Sequence, residues 1–231
     1  MNGEQILAAV ESQRGAALAT HRFVHEHGSS TALKIVQATG DRAGEAEWRA
    51  LDRSIVKVNA NTAAAAVGAT GYNRPEDLEL ATSTGNNRGG NILYVNVTDP
   101  STDSRTLAVD LQEPGGDQFA FVYDYVKVGL NVPAGFSWPD NVALDHSGDL
   151  YITEDPPSNP IGAGADIWVA EPPSGGQHQP AAPVVRFASL TDCNAEPTGI
   201  YFDKDGGTLY VHAQHRGGDG LDKDVAIRPA S

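Results

Sequence analysis

The 231-residue chain predicts a mainly β protein, a partial or incomplete β-propeller with about three blades, preceded by a short helical N-terminal segment. Three observations carry that expectation. A pattern of proline, apolar strand, turn and Leu-Tyr-hydrophobic strand occurs three times. The 25 glycines and 14 prolines fall between apolar runs, which suits short strands and many turns better than long helices. The run Phe119 to Val128, Phe-Ala-Phe-Val-Tyr-Asp-Tyr-Val-Lys-Val, has the aromatic and β-branched composition of a strand.

In chain order, residues 1–40 read as a helical and linker segment and residues 41–231 as the propeller domain. Ile6, Leu7, Val10 and Leu18 in an Ala/Glu/Gln-rich setting predict a helix from residue 3 to about residue 20. His21, His25 and His27 follow. No second ligand cluster lies nearby, so they read as an exposed helix-end or linker group. Ala43 to Leu51, with Trp48, reads as a connecting segment that pins an aromatic onto the core. The alanine-rich stretch Asn59 to Gly68 predicts a short helix ended by Gly68. After it Arg74 and Glu76 bracket Pro75, so their side chains project from an extended turn.

The central repeat is the clearest. Asn141 to Leu144 is a strand, Asp145-His-Ser-Gly148 a tight turn and Leu150 to Thr153 the return strand. Gly148 supplies the positive φ of such a turn, and Asp145 can bond back onto its backbone. Pro197 to His212 repeats this arrangement with Glu196 at its mouth. Pro75 to Leu80 and Asn91 to Asn96 form a copy with a longer Gly/Asn-rich turn. Pro75, Pro139 and Pro197 are 64 and 58 residues apart, a period near that of propeller blades. Leu107 to Leu111, Phe119 to Val128, Asp166 to Ala170 and Val184 to Ala188 supply the remaining strands. Pro156 to Ala165 and Pro172 to Pro183 are loops, and the Gly/Asp-rich tail from Gly217 is expected to fray.

A net charge of −14 argues against a nucleic-acid or anionic-membrane partner and leaves room for divalent cations. Cys193 is the only cysteine, so no internal disulfide can form. No apolar run approaches 18 residues, so no membrane span is expected, and no secretion signal is visible at the N-terminus. If the repeats are blades, Glu76, Asp140 and Glu196 occupy equivalent places and converge on the axis, with Asp77, Asn141, Glu154 and Asp155 beside them. Crowded carboxylates repel unless a cation neutralises them, and hard oxygen donors suit calcium, with iron or manganese as further candidates. Each acid alone reads as a solvated turn residue; the set at equivalent positions reads as a cation site. His215, beside Arg216, could contact a phosphoryl oxygen or do acid–base work, and reads equally well as a surface-loop histidine. Cys193 is a soft ligand or, more commonly for such a residue, a buried structural thiol. His178 and His212 have no evident partners. No G-x-S-x-G, P-loop or H-E-x-x-H is present.

Gly68-Ala-Thr-Gly-Tyr-Asn-Arg-Pro-Glu-Asp77, Pro139-Asp-Asn-Val-Ala-Leu-Asp145, Glu196-Pro-Thr-Gly199 and Gln214-His-Arg-Gly217 occur in the order seen in PhoX-type alkaline phosphatases. From about Glu45 to Gly217 the chain resembles that family. The resemblance implies a β-propeller with calcium and iron at the channel mouth, a small phosphorylated substrate, phosphomonoester hydrolysis, and a periplasmic or extracellular location. It implies Glu76 and Glu196 as metal ligands, Asp140, Asn141, Glu154 and Asp155 as further candidates, and His215 near the substrate phosphate. Family members are longer and carry a Thr-Cys-Glu-Glu type motif that this chain lacks, and Arg216 stands where they have proline. The expectation is a truncated member, or one whose ring is completed by self-association or by a partner chain. Two other readings suit the same hairpins: a calcium-dependent lactonase or esterase-type propeller hydrolase, and a non-catalytic fragment for binding or assembly.

Overall fold

The computed structural model describes residues 30–81, 91–98, 104–111, 119–133, 135–155, 165–192, 195–214 and 222–228. The helix expected over residues 3–20, His21, His25, His27, Cys193 and His215 lie outside the described residues. Among the described residues the protein is mainly β, with thirteen strands and two short helices. The chain divides into two compact units, Met1–Pro75 with Asp110–Val122, and Glu76–Val109 with Tyr123–Ser231.

In the first unit β1 (Thr31–Gly40) pairs antiparallel with β2 (Ala43–Ala50), with Leu33 opposite Trp48. The opening of β6 (Phe119–Lys127) lies on the other side of β2, where Gly44 meets Val122. Residues 31–40, which the sequence suggested as the end of a helical and linker segment, are therefore a strand. Its buried Ala32 and Leu33 hold it in place. Gly44 has φ 134°, and a Cβ there would stand 2.2 Å from the Gln37 carbonyl oxygen, so only glycine fits. α1 (Arg53–Val56) is capped by Asp52, which accepts the Ser54 amide at 2.8 Å. α2 (Ala60–Ala66) starts at Asn59, which accepts the Thr62 amide at 3.0 Å, and the chain leaves it at Gly68 with φ 68°, as expected. Ala32, Leu51, Ala63 and Ala64 form the small core of this unit.

In the second unit the strand order β6-β5-β4-β3 joins β5 (Arg105–Asp110), β4 (Ile92–Val97) and β3 (Pro75–Ala81). A four-stranded antiparallel sheet has the order β10-β9-β8-β7, from β7 (Pro139–Leu144), β8 (Leu150–Glu154), β9 (Asp166–Ala170) and β10 (Val185–Ser189). The third sheet is β11 (Glu196–Phe202), β12 (Leu209–Gln214) and β13 (Lys223–Ile227). The second and third sequence repeats supply the first two strands of their sheets, and the first repeat supplies β3 and β4. The expected frayed tail is corrected by β13, whose Val225 pairs with Val211 of β12. It is an edge strand with its side chains largely in water, which explains its polar composition.

Tyr94, Tyr125, Phe136, Leu150, Ile152 and Trp168 belong to the main core of this unit, each large side chain contributing roughly 1.5–3 kcal/mol by burial. Ile167, Ile200, Leu209 and Val211 form a second cluster. The two hairpin turns share one device. Asp145 Oδ1 accepts the Ser147 and Asp149 amides at 2.8 and 2.9 Å, and Asp203 Oδ1 accepts the Gly207 and Thr208 amides at 2.8 and 3.2 Å. Gly148 (φ 91°) and Gly206 (φ 69°) complete the turns.

Candidate functional site

Glu76 is the second residue of β3, Asp140 the second of β7 and Glu196 the first of β11. Pro139 lies opposite Glu154 across β7 and β8, and Glu196 opposite Gln214 across β11 and β12. Each acid therefore sits at the open end of its hairpin. Asp155 follows β8 there, its amide donating to the Trp138 carbonyl at 2.8 Å. Trp138 is left-handed (φ 50°), as is Arg74 (φ 42°), and each directly precedes a repeat proline. A non-glycine residue in that region stores strain, and here the strained residue stands two positions before an acid of the group. The Trp138 amide is held by Ser104 Oγ at 3.1 Å.

Asp140 records the convergence of the acids. Burial pushes its carboxyl up, and the negative charges of Glu196, Glu76, Asp155 and Asp77 push it further, to about 7. Charges from β3, from the end of β8 and from β11 thus act on one carboxyl of β7. Among the described residues no three His, Cys, Asp or Glu side chains stand close enough to hold a metal ion. The charges meet, while the side chains are not drawn together as ligands.

The strands bearing these acids are tied beside them. Asp77 Oδ2 accepts the Val142 amide at 3.1 Å and its Oδ1 the Leu78 amide at 2.9 Å. Asn141 Oδ1 accepts the Thr198 hydroxyl at 2.5 Å and the Gly199 amide at 2.8 Å. The Asn141 oxygen is thus engaged in linking β7 to β11. Glu154 is buried at the end of β8. It is 1 % exposed, and its Oε1 accepts the Ser137 amide at 2.7 Å. Burial raises its carboxyl to about 8; the Ser137 amide opposes this, the Asp166 charge adds to it, and the Trp168 side chain and Asp166 backbone oppose it further. It is the cross-strand partner of Pro139, at the edge of the irregular stretch that holds Asp140.

A family model for the alkaline phosphatase PhoX matches residues 11–217. The chain belongs to the PhoX alkaline phosphatase family. Among solved structures, Pseudomonas fluorescens PhoX in complex with vanadate, a transition state analogue, is similar at a TM-score of 0.69 and 21% identity over 93% of this chain. The match covers 47% of that chain, so the present chain spans about half the length of this relative. At this identity the likeness speaks for the fold. No curated protein matches.

In this PhoX-family chain the Arg-Pro-Glu-Asp motif opens β3, the Pro-Asp-Asn motif opens β7 and the Glu-Pro-Thr-Gly motif opens β11. The fourth motif begins at Gln214, the last residue of β12. The charges that raise Asp140 are all carboxylates, whose oxygens suit a hard divalent cation, and crowded negative charge of this kind is what such an ion relieves. Sequence reasoning missed the buried residues behind β7. Asn96 Nδ2 donates to the Asp140 carbonyl at 2.8 Å, and the Thr98 hydroxyl donates to the Pro139 carbonyl. Polar residues at alternate positions near the end of an apolar strand were the available signal. His212, expected to lack partners, is bonded through Nδ1 to Asp224 at 2.8 Å, which raises its pKa. His178 packs its ring against Tyr123 at 5.5 Å. Among the described residues no helix is long and apolar enough to cross a membrane.

Proposed function

We propose that this chain is a PhoX-like phosphatase domain acting on small phosphomonoesters, with a cation site built on Glu76, Asp140, Asp155 and Glu196. The observation that carries this reading is the rise of the Asp140 carboxyl to about 7 under negative charges from separate strands. Calcium is the cation best suited to these oxygens, with iron as a second metal. Bound there, such an ion would polarise the phosphoryl group and neutralise charge as the ester bond breaks. The residues of the chain would hold the acids at a fixed spacing, with Asn141 and Glu154 framing the site through the strand links and the Ser137 amide. His215, next in sequence after Gln214, would donate to a phosphoryl oxygen.

The placing of one sequence repeat in each of the three sheets supports a partial propeller of about three blades. In this reading the strand edges left by a partial propeller would pair with a second copy or with a partner chain. Turnover of p-nitrophenyl phosphate, measured with calcium and after chelation, tests the proposal together with metal analysis of the purified chain. Calcium-dependent turnover is the expected result. Calcium binding without turnover would leave a cation-binding module, and neither binding nor turnover would remove the reading.

A further inference from the structure

We infer that Asn96 is a positioning residue for Asp140, fixing from behind the stretch of β7 that bears it; this rests on the cation-site reading above. Asn96 is fully buried in β4. Its Nδ2 donates to the Asp140 carbonyl at 2.8 Å and lies 3.5 Å from the Asn141 carbonyl. Its Oδ1 accepts the Thr106 hydroxyl of β5 at 2.7 Å, which sets the carboxamide with its oxygen toward β5 and its nitrogen toward β7. Two residues on, the Thr98 hydroxyl donates to the Pro139 carbonyl.

The location of these bonds makes them more than core polar contacts. β7 is in register with β8 at Pro139 and again from Val142 to Leu144, with a shift between Pro139 and Val142. The irregular stretch is the one holding Asp140 and Asn141, so β4 side chains bind carbonyls where the regular pairing is interrupted. The peptide fixed in this way belongs to the carboxyl on which four other acids act. A donor that orients a ligand-bearing element typically changes cation affinity about 10–100-fold when it is removed.

The test is calcium titration calorimetry on the full chain, with hydrogen-exchange mass spectrometry over residues 137–144, for the wild type, Asn96→Ala and Asn131→Ala. Asn131 is a matched control. It clamps the Tyr125 and Ala181 carbonyls at 2.8 and 3.1 Å and accepts the Lys127 amide at 3.1 Å, and none of these partners belongs to β7. Asn96→Ala is expected to weaken calcium about 10–100-fold and to speed exchange in 137–144, while Asn131→Ala leaves both as in the wild type. Should Asn96→Ala fail to fold, Thr106→Val keeps the amide but releases its orientation, and a smaller loss in the same direction is expected. Wild-type calcium affinity in the folded variant, or an equal loss in Asn131→Ala, overturns the inference. If the wild type itself takes up no calcium, the cation reading fails by itself. Exchange then decides for Asn96: unchanged rates in 137–144 overturn its role, and faster rates there but not in Asn131→Ala uphold it.

Discussion

The Asn141 carboxamide oxygen accepts the Gly199 amide at 2.8 Å, so one side chain of β7 ties the first strand of its sheet to the first strand of the next. One repeat earlier Asp77 ties β3 to β7, taking the Val142 amide at 3.1 Å. In both repeats the linking residue stands two places after the opening proline. Acids one position before the link keep their spacing because the strands beneath them are cross-tied.

Removing the Asn141 link should therefore be felt in stability. Asn141→Ala leaves the Gly199 amide and the Thr198 hydroxyl without their acceptor, and Gly199 is open to water, so a loss of about 1–2 kcal/mol is expected. Urea denaturation measures it. A midpoint equal to that of the wild type would mean that the link contributes nothing.

The central hairpin was legible because its turn chemistry is local: Asp145 and Gly148 dictate the reversal without help from the rest of the chain. The third repeat was legible for the same reason through Asp203 and Gly206, and the second and third repeats mark the start of their sheets. β1 was not, since its outer half, Gln37 to Gly40, is exposed and shows no apolar alternation, and its pairing with β2 depends on distant residues. Glu154 was legible as a hairpin-end acid, but its burial and its bond to the Ser137 amide depend on the chain that packs over it. Asn96 was silent for a related reason. A buried amide in an apolar strand acquires meaning only when the topology brings β7 against it.

The turns of neighbouring repeats touch at Gly206. A Cβ there would lie 2.8 Å from the His146 ring, and the backbone is left-handed at φ 69°. Gly206→Ala should cost about 1–2 kcal/mol for the backbone, plus the displacement of the ring. Adding His146→Ala should recover the steric part and leave the backbone part. A double-mutant cycle by thermal denaturation measures the coupling, and strict additivity would show that the ring moves aside freely.

Burial raises the Glu154 carboxyl from its ordinary 4.5 to about 8. The folded state thus holds this proton more tightly than the unfolded state does. Its contribution to stability is fully present below pH 4.5 and is lost as pH rises through 8. Glu154→Gln cannot ionise, so in chelator its stability relative to the wild type should climb from pH 5 to pH 9. Denaturation midpoints of the two proteins across that range give the test. A constant gap would show that Glu154 is already ionised in the fold.

Asp140 joins this titration to the proposed cation site. Its carboxyl is raised from 3.8 to about 7, first by burial and then by Glu196, Glu76, Asp155 and Asp77. In chelator, the stability associated with its proton is full below pH 3.8 and is lost as pH rises through 7, when one more negative charge joins the group. Calcium must displace that proton, so its stabilising effect should be small at pH 6 and large at pH 8. Asp140→Asn removes both responses. The variant should be more stable than the wild type in chelator at pH 8, yet gain less from calcium. Melting temperatures of both proteins at pH 6 and pH 8, with and without calcium, separate these effects. A calcium shift that ignores pH, or survives the substitution intact, would place the cation away from Asp140.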